Sequence, residues 1–239
     1  MDDTKIYERQ LYDKERCNEE VKRYSSLIAQ TVYDYWDNKL ISMLELSKND
    51  MVLDYGCGIG VLSGKINCKL IVGIDISKSL IRIAKERYKR FFIIADGENL
   101  PFKQNVFDKT IGRGVLHHLS NPKAGASEVK RVSKPNSKII FSEPNNKNIF
   151  VLLVRKMLKT FKASYSKEQK SFNQYFLKNL FPNSQIIYFG YISYILAFPD
   201  IFQIKFPIKI VKFFILFDEF LSKVPLINIL SWHIITKSG

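Results

Sequence analysis

The chain predicts an α/β protein built on a doubly wound, mostly parallel sheet. Short apolar runs end repeatedly in an acid, at Asp54, Asp75 and Asp96. Segments with helical spacing separate these runs, the alternation that builds parallel sheets. A turn with glycine at alternate positions closes the first run, and such turns occur where a strand hands over to a helix beside a ligand.

Residues 5–45 read as a helical preamble, because Tyr24, Leu27, Ile28, Thr31, Val32, Tyr35, Lys39 and Met43 follow three-four spacing. Val52-Leu53-Asp54-Tyr55 is the first strand, and Gly56-Cys57-Gly58-Ile59-Gly60 is its turn. Glycine has no Cβ and tolerates positive φ, so backbone there can approach a ligand closely. Val61 stands where a dinucleotide-binding G-x-G-x-x-G loop needs its last glycine, and Gly64-Lys65-Ile66 fails the Walker ending. Residues 69–76 are the second strand. Asp75 lies about 20 residues past the loop, the place of an acid that reaches ribose hydroxyls. Its two acceptor oxygens suit a vicinal diol. Ser77 is an N-cap for a helix over 78–90. Residues 91–96 form strand three and 106–112 strand four, with Arg113 at its end facing the cleft. His117 and His118 then begin the next helix. Lys134-Pro135-Asn136-Ser137 is a turn before strand five at 138–143, which ends in Glu143, where doubly wound sheets place ligand contacts.

Beyond strand five the pattern is less regular. Residues 149–162 read as a basic amphipathic helix, 163–170 as a polar loop and 171–181 as a helix. Residues 185–191 form strand six. Pro207 suits the N1 position of a helix over 207–224. There Lys209, Lys212, Glu219 and Lys223 share one stripe and nearly everything else is apolar, broader than one sheet face needs. The helix is therefore either sandwiched in the fold or in part meets lipid or a greasy substrate. Residues 228–237 are the last strand. The uncharged stretch 179–199 is too interrupted by Asn, Pro and Gly for a membrane span.

The D-x-G-x-G-x-G turn, the acid ending strand two and Asp96-Gly97-Glu98-Asn99-Leu100-Pro101-Phe102 occur in an order that resembles the Rossmann-like (class I) S-adenosylmethionine (SAM) methyltransferases. Residues 48–145 resemble the ubiquinone/menaquinone-biosynthesis branch. The resemblance implies a seven-stranded sheet whose last strand runs antiparallel between strands five and six. It implies a helical cap at 1–47 over the cofactor cleft, with a helix packed on the sheet edge as the alternative, a SAM-binding core at 48–145, and a C-terminal half at 146–239 facing substrate or membrane. Gly56, Gly58 and Gly60 would pass the methionine moiety. Asp54 would orient that end or anchor the turn. Asp75 would hold the ribose, Ile76 pack on the adenine, and Asp96 with the backbone at Gly97 read the adenine amine. Cys57 matters as a small side chain. Arg113 would bind a carboxylate or phosphate, or form a salt bridge. His118 is a candidate base, with scaffolding as its alternative, and Glu143 a candidate base or orienter, with capping of the loop at 144–146 as its alternative. Tyr7 and Tyr12 could line a lid.

The composition narrows the function. At 239 residues there is room for one substantial α/β domain with appendages. Cys17, Cys57 and Cys68 form neither a disulfide framework nor a metal set, so a reducing, cytoplasmic setting and no metal are expected. The start, Met1-Asp2-Asp3-Thr4-Lys5, does not read as a signal peptide. The formal charge of +14 fits an anionic partner or compositional bias. Its concentration in 147–178, with eight Lys/Arg against one Glu, favours a functional face.

These features point to a SAM-dependent methyltransferase with a small, lipid-like or membrane-tethered acceptor. Peripheral contact with the inner face of the membrane would run through 149–162 and 207–224. RNA methylation is the second reading. It lacks an Asn/Asp-Pro-Pro-aromatic motif after strand four, a pyrimidine-attacking cysteine and an appended RNA-binding module. A non-catalytic lipid-binding scaffold would not need the glycine loop and its acids. A nicotinamide oxidoreductase is disfavoured by the glycine spacing.

Overall fold

A computed structural model describes residues 3–13, 17–145, 148, 172–197 and 206–239. The expected helix at 149–162 and loop at 163–170 lie outside these. Three helices come first: α1 (Asp3–Leu11), α2 (Cys17–Arg23) and α3 (Leu27–Met43). The core then alternates β1 (Met51–Tyr55), α4 (Val61–Lys65), β2 (Leu70–Asp75), α5 (Lys78–Arg87), β3 (Phe91–Ile94), β4 (Phe107–Arg113), α6 (Pro122–Val132) and β5 (Ser133–Pro144). After it come α7 (Gln174–Leu180), β6 (Gln185–Phe189), α8 (Ser193–Leu196), α9 (Ile208–Leu221) and β7 (His233–Ser238). Among the described residues no helix is long and apolar enough to cross a membrane.

The sheet has seven strands in the order β3-β2-β1-β4-β5-β7-β6. The pairs from β3 through β5 are parallel, and β7 lies antiparallel between β5 and β6. Neighbouring residues on a strand point to opposite faces, so a sheet covered on both sides reads as a continuous apolar run. Val52, Ile71, Ile140 and Ile235 enter one core layer with Val32, Trp36 and Leu40 of α3 and with Val211 and Ile215 of α9. Leu53, Val72, Phe141 and Ile234 enter the other, against α6 and α7.

Several boundaries differ from expectation. On α3 the buried side is Ala29, Val32, Tyr33, Trp36, Asp37 and Leu40, while Leu27 is exposed. The stripe read from spacing lies one position aside, because an acidic residue, Asp37, sits on the inward face. His117 and His118 belong to a single 3₁₀ turn, Leu116–His118, and the helix starts only at Pro122 behind its Asn121 cap. The turn expected at 134–137 is an irregularity within β5. Phe107 pairs with Ser133, pairing resumes at Lys109 with Lys138, and Asn136 takes a φ of 63° that asparagine tolerates. Pro207 is the N-cap of α9 rather than its first residue. The last strand starts at His233, because Pro225–Leu230 forms a 3₁₀ segment.

Candidate active site

The carboxyl ends of β1, β2 and β4 open on a cleft of about 300 Å³, roofed by side chains from α1 to α3. The turn after β1 forms its floor. Gly56 and Gly58 have φ of 71° and 53°, and a Cβ on Gly56 would lie 2.3 Å from the Val115 side chain. A Cβ on Gly58 would meet nothing, so its backbone borders open space. Cys57 faces inward against Gly73 and Phe92, where burial pushes its thiol well up, so it is a packing residue and no nucleophile.

Two aspartates tie the turn down. Asp54 is fully buried, and its Oδ2 accepts from Ser63 N (3.1 Å) and Ser63 Oγ (2.6 Å). Its Oδ1 is buried and has no hydrogen-bond partner among the described residues. An orphaned carboxylate oxygen beside a ligand cleft costs free energy until a donor reaches it. Asp75 takes Gly58 N on Oδ2 (3.0 Å) and Ser77 N on Oδ1 (2.9 Å). Each oxygen keeps a further lone pair for a hydroxyl. Burial pushes both carboxyls up to about 6, against the hydrogen bonds that favour the ionised forms. This donor set fits a cationic nucleoside: an ammonium for Asp54 Oδ1 and a diol for Asp75. Ile76 lines the same wall.

Asp96 also lines the cleft, with Glu98 N on Oδ1 (2.9 Å) and Lys5 Nζ on Oδ2 (2.7 Å). Lys5 also pairs with Glu98 at 3.0 Å, so an incoming amine must share Asp96 with Lys5 or displace it. Gly97 serves packing: a Cβ there would lie 2.3 Å from the Tyr55 hydroxyl.

The structure separates the two candidate bases. His118 lines the cleft between two groups of α1 and its end: Glu8 Oε2 lies 3.2 Å from Nδ1 and the Tyr12 hydroxyl 3.1 Å from Nε2. Glu143 is fully buried beneath the 3₁₀ turn and accepts from Val115 N, Leu116 N and, at 2.6 Å, His117 Nδ1. Buried there, it holds the histidine turn in place, the orienting role open to it beside that of a base. Burial raises its carboxyl to about 7.

Arg113 does line the cleft, but its guanidinium pairs with Asp37 and the Tyr24 hydroxyl, and it lies 5.7 and 5.9 Å from the Tyr24 and Tyr33 ring centroids. Asp37 is fully buried and also binds Lys65 at 2.8 Å. A buried carboxylate demands such partners, so Arg113 is committed to it rather than to a ligand. From Tyr33 an aromatic wall continues to Tyr194 and His233, with ring centroids 5.6 and 4.5 Å apart. Lys5, Glu8, Asp37, Tyr194 and His233 were not legible as site residues. Their partners lie far along the chain, and no local spacing marks them.

Comparisons with known proteins bear on the family and the fold. Demethylmenaquinone methyltransferase of Corynebacterium urealyticum is 36% identical over 45% of this chain and 47% of its own length. A tRNA (carboxymethyluridine(34)-5-O)-methyltransferase of Arabidopsis thaliana is 31% identical over 48% of this chain and 29% of its own. The structure of magnesium protoporphyrin IX methyltransferase from Synechocystis with bound SAH superposes with a TM-score of 0.64 at 14% identity, covering 98% of both chains. This likeness speaks for the fold. The chain spans about half the length of several of the curated relatives it matches. Residues 46–188 match the family model described as a methyltransferase domain, and the chain belongs to that family.

Proposed function

We propose that the protein is a SAM-dependent methyltransferase acting on a small, lipid-like or membrane-tethered acceptor. The observation that carries the cofactor is the paired acids beneath the glycine turn, above all the unpartnered Asp54 Oδ1. SAM, when bound, supplies a methyl group on a positively charged sulfur that leaves as a neutral thioether. The protein's task is then to hold donor and acceptor in line, which alone supplies much of the acceleration. Asp54 would hold the amino group, Asp75 the ribose and Asp96 the adenine amine. The acceptor would lie along Tyr24, Tyr33, Tyr194 and His233, a largely apolar wall suited to a hydrophobic molecule.

Where the acceptor must lose a proton, His118 would be the base, acting through the Tyr12 hydroxyl at its Nε2 while Glu8 at Nδ1 orients the ring. The setting would be cytoplasmic, at the inner face of a membrane.

Calorimetric titration with SAM and SAH tests the cofactor. Asp75→Ala is expected to weaken SAM binding on the order of 100-fold, from two lost charge-assisted hydrogen bonds, with the melting curve still cooperative. Unchanged affinity would refute the assignment. Tritiated-methyl transfer into lipid, metabolite and RNA fractions tests the acceptor. Label in RNA alone would favour the second reading, which the net charge and the tRNA-modifying relative support.

A further inference from the structure

Helix α9 is apolar on two opposite sides. Val211 and Ile215 face inward against α3, and Asp218 is buried with them. About half a turn around the helix, Phe213, Leu216 and Phe220 are 61%, 64% and 61% exposed, with Phe217 and Ile210 beside them. The rings of Phe213, Phe217 and Phe220 stack in a row, each 6.2 Å from the next. This is more contiguous exposed aromatic surface than a helix with a single buried face would present. Of the alternatives open for this helix, packing inside the fold accounts for the inward side only.

The charges identify what meets the outer side. At 100° per residue, Lys212 falls on one flank of the exposed stripe and Lys209 at the stripe's N-terminal end, while Lys223 lies just past the helix. All three are exposed, and none pairs with a carboxylate among the described residues. The acid of that flank, Glu219, is turned back to Lys39 and Tyr35 on α3. An apolar face edged by unpaired lysines, on a chain of formal charge +14, complements a surface that is greasy and negative. A second copy fits poorly, since a two-fold contact would bring one basic flank near its duplicate between two strongly cationic chains.

We propose that α9 is an interfacial helix that lies on an anionic lipid bilayer, inserting Phe213, Leu216, Phe217 and Phe220 while its lysines meet lipid phosphates. The same helix is wired to the cleft. The Asp218 carboxylate accepts from Tyr191 N (2.9 Å), Ile192 N (2.8 Å), Ser193 N (3.0 Å) and Ser193 Oγ (2.6 Å). This knot fixes the start of α8, which carries Tyr194 into the aromatic wall. A helix resting on a bilayer would thus anchor the part of the cleft assigned to a lipid-like acceptor. The docking itself holds whatever that acceptor is.

The test is co-sedimentation of the full chain with phosphatidylcholine vesicles, with and without phosphatidylglycerol, across a salt series. It needs neither SAM nor turnover, so its outcome is separate from that of the methyltransferase reading. Wild-type protein should partition to phosphatidylglycerol vesicles and keep part of that binding in high salt, because apolar insertion survives screening. Phe213→Ser/Leu216→Ser should lower partitioning by on the order of 10-fold or more with an unchanged melting curve. Lys209→Glu/Lys212→Glu should erase the preference for phosphatidylglycerol, about fivefold per lysine, and serves as the second probe should the serine variant misfold. Wild-type protein remaining in the supernatant, binding indifferent to both variants, or a salt-resistant dimer in place of vesicle binding would each overturn the proposal.

Discussion

Tyr55 shows how one side chain shapes the cofactor wall. Its ring ends β1, and its hydroxyl is buried without a partner among the described residues. The ring also explains two glycines, since a Cβ on Gly97 or Gly125 would come within 2.3 or 2.8 Å of the hydroxyl. A buried hydroxyl with no partner costs about 1–3 kcal/mol. Tyr55→Phe is therefore expected to raise stability by about 1 kcal/mol in chemical denaturation. A fall in stability would mean that the hydroxyl is paired after all. Gly56, Gly58, Asp54, Asp75 and Asp96 were legible because they occupy fixed places relative to strand ends. Arg113 and Glu143 were read at the right strand ends with more than one role open, and no local pattern names the partners they take. Asp37 lies 76 positions from Arg113 in the chain, and the turn that Glu143 holds lies 26 to 28 residues before it.

Among the elements, α1 is held over the cleft by polar contacts rather than by a large apolar face. Lys5 reaches Asp96 and Glu98, Glu8 reaches His118, and Asp13 just beyond the helix accepts from Ser77 Oγ (2.5 Å) and Ser79 N (2.9 Å) at the start of α5. Segments held this way open locally at low cost. Asp13→Ala is expected to speed amide exchange across residues 3–13 while leaving β1, β2 and β4 protected. Equal loss of protection in the sheet would show that the cap and core unfold together. The strands were legible to within a few residues, because buried parallel strands are continuous apolar runs bounded by turn residues. The preamble's helices were legible, but not which face turns inward, since the buried Asp37 breaks the apolar pattern. The 3₁₀ turns at Leu116–His118 and Pro225–Leu230 carry no periodic signal.

For the molecule as a whole, the three carboxyls raised to about 6 or 7 dominate the pH response, with Asp218 shifted in the same direction by burial. Asp54 and Asp75 titrate at about 6 and Glu143 at about 7, against ordinary values of 3.8 and 4.5. The folded state holds these protons more tightly than the unfolded chain does. Their contribution is thus fully present below about 4 and is lost as the pH rises through 6 to 7. Burial pushes Asp13, Asp108 and Glu128 up, but hydrogen bonds and nearby cations outweigh it and shift them down, so their contribution is lost in acid. The melting temperature of the ligand-free protein is expected to fall between pH 5 and pH 7.5 as those three groups ionise. A cationic ligand favours the ionised Asp54 and Asp75, so the stabilisation given by SAM should grow over the same interval. A pH-independent ligand shift would separate these aspartates from the binding site. The seven-stranded order was legible only through the family resemblance, since nothing local tells β7 to pair between β5 and β6.

That insertion constrains how the chain can assemble. Strand β6 is an outermost member of the sheet and pairs only with β7, which among the described residues follows it after α8, α9 and a 3₁₀ segment. Until β7 arrives, the edge of β5 lies bare and β6 has no ladder to join, so this half of the sheet closes late and by long-range contacts, the slow kind. The nucleotide-facing half from β1 to β4 has no such dependence. An unpaired β5 edge of this kind is adhesive, so late closure of this flank is where aggregation during folding would begin.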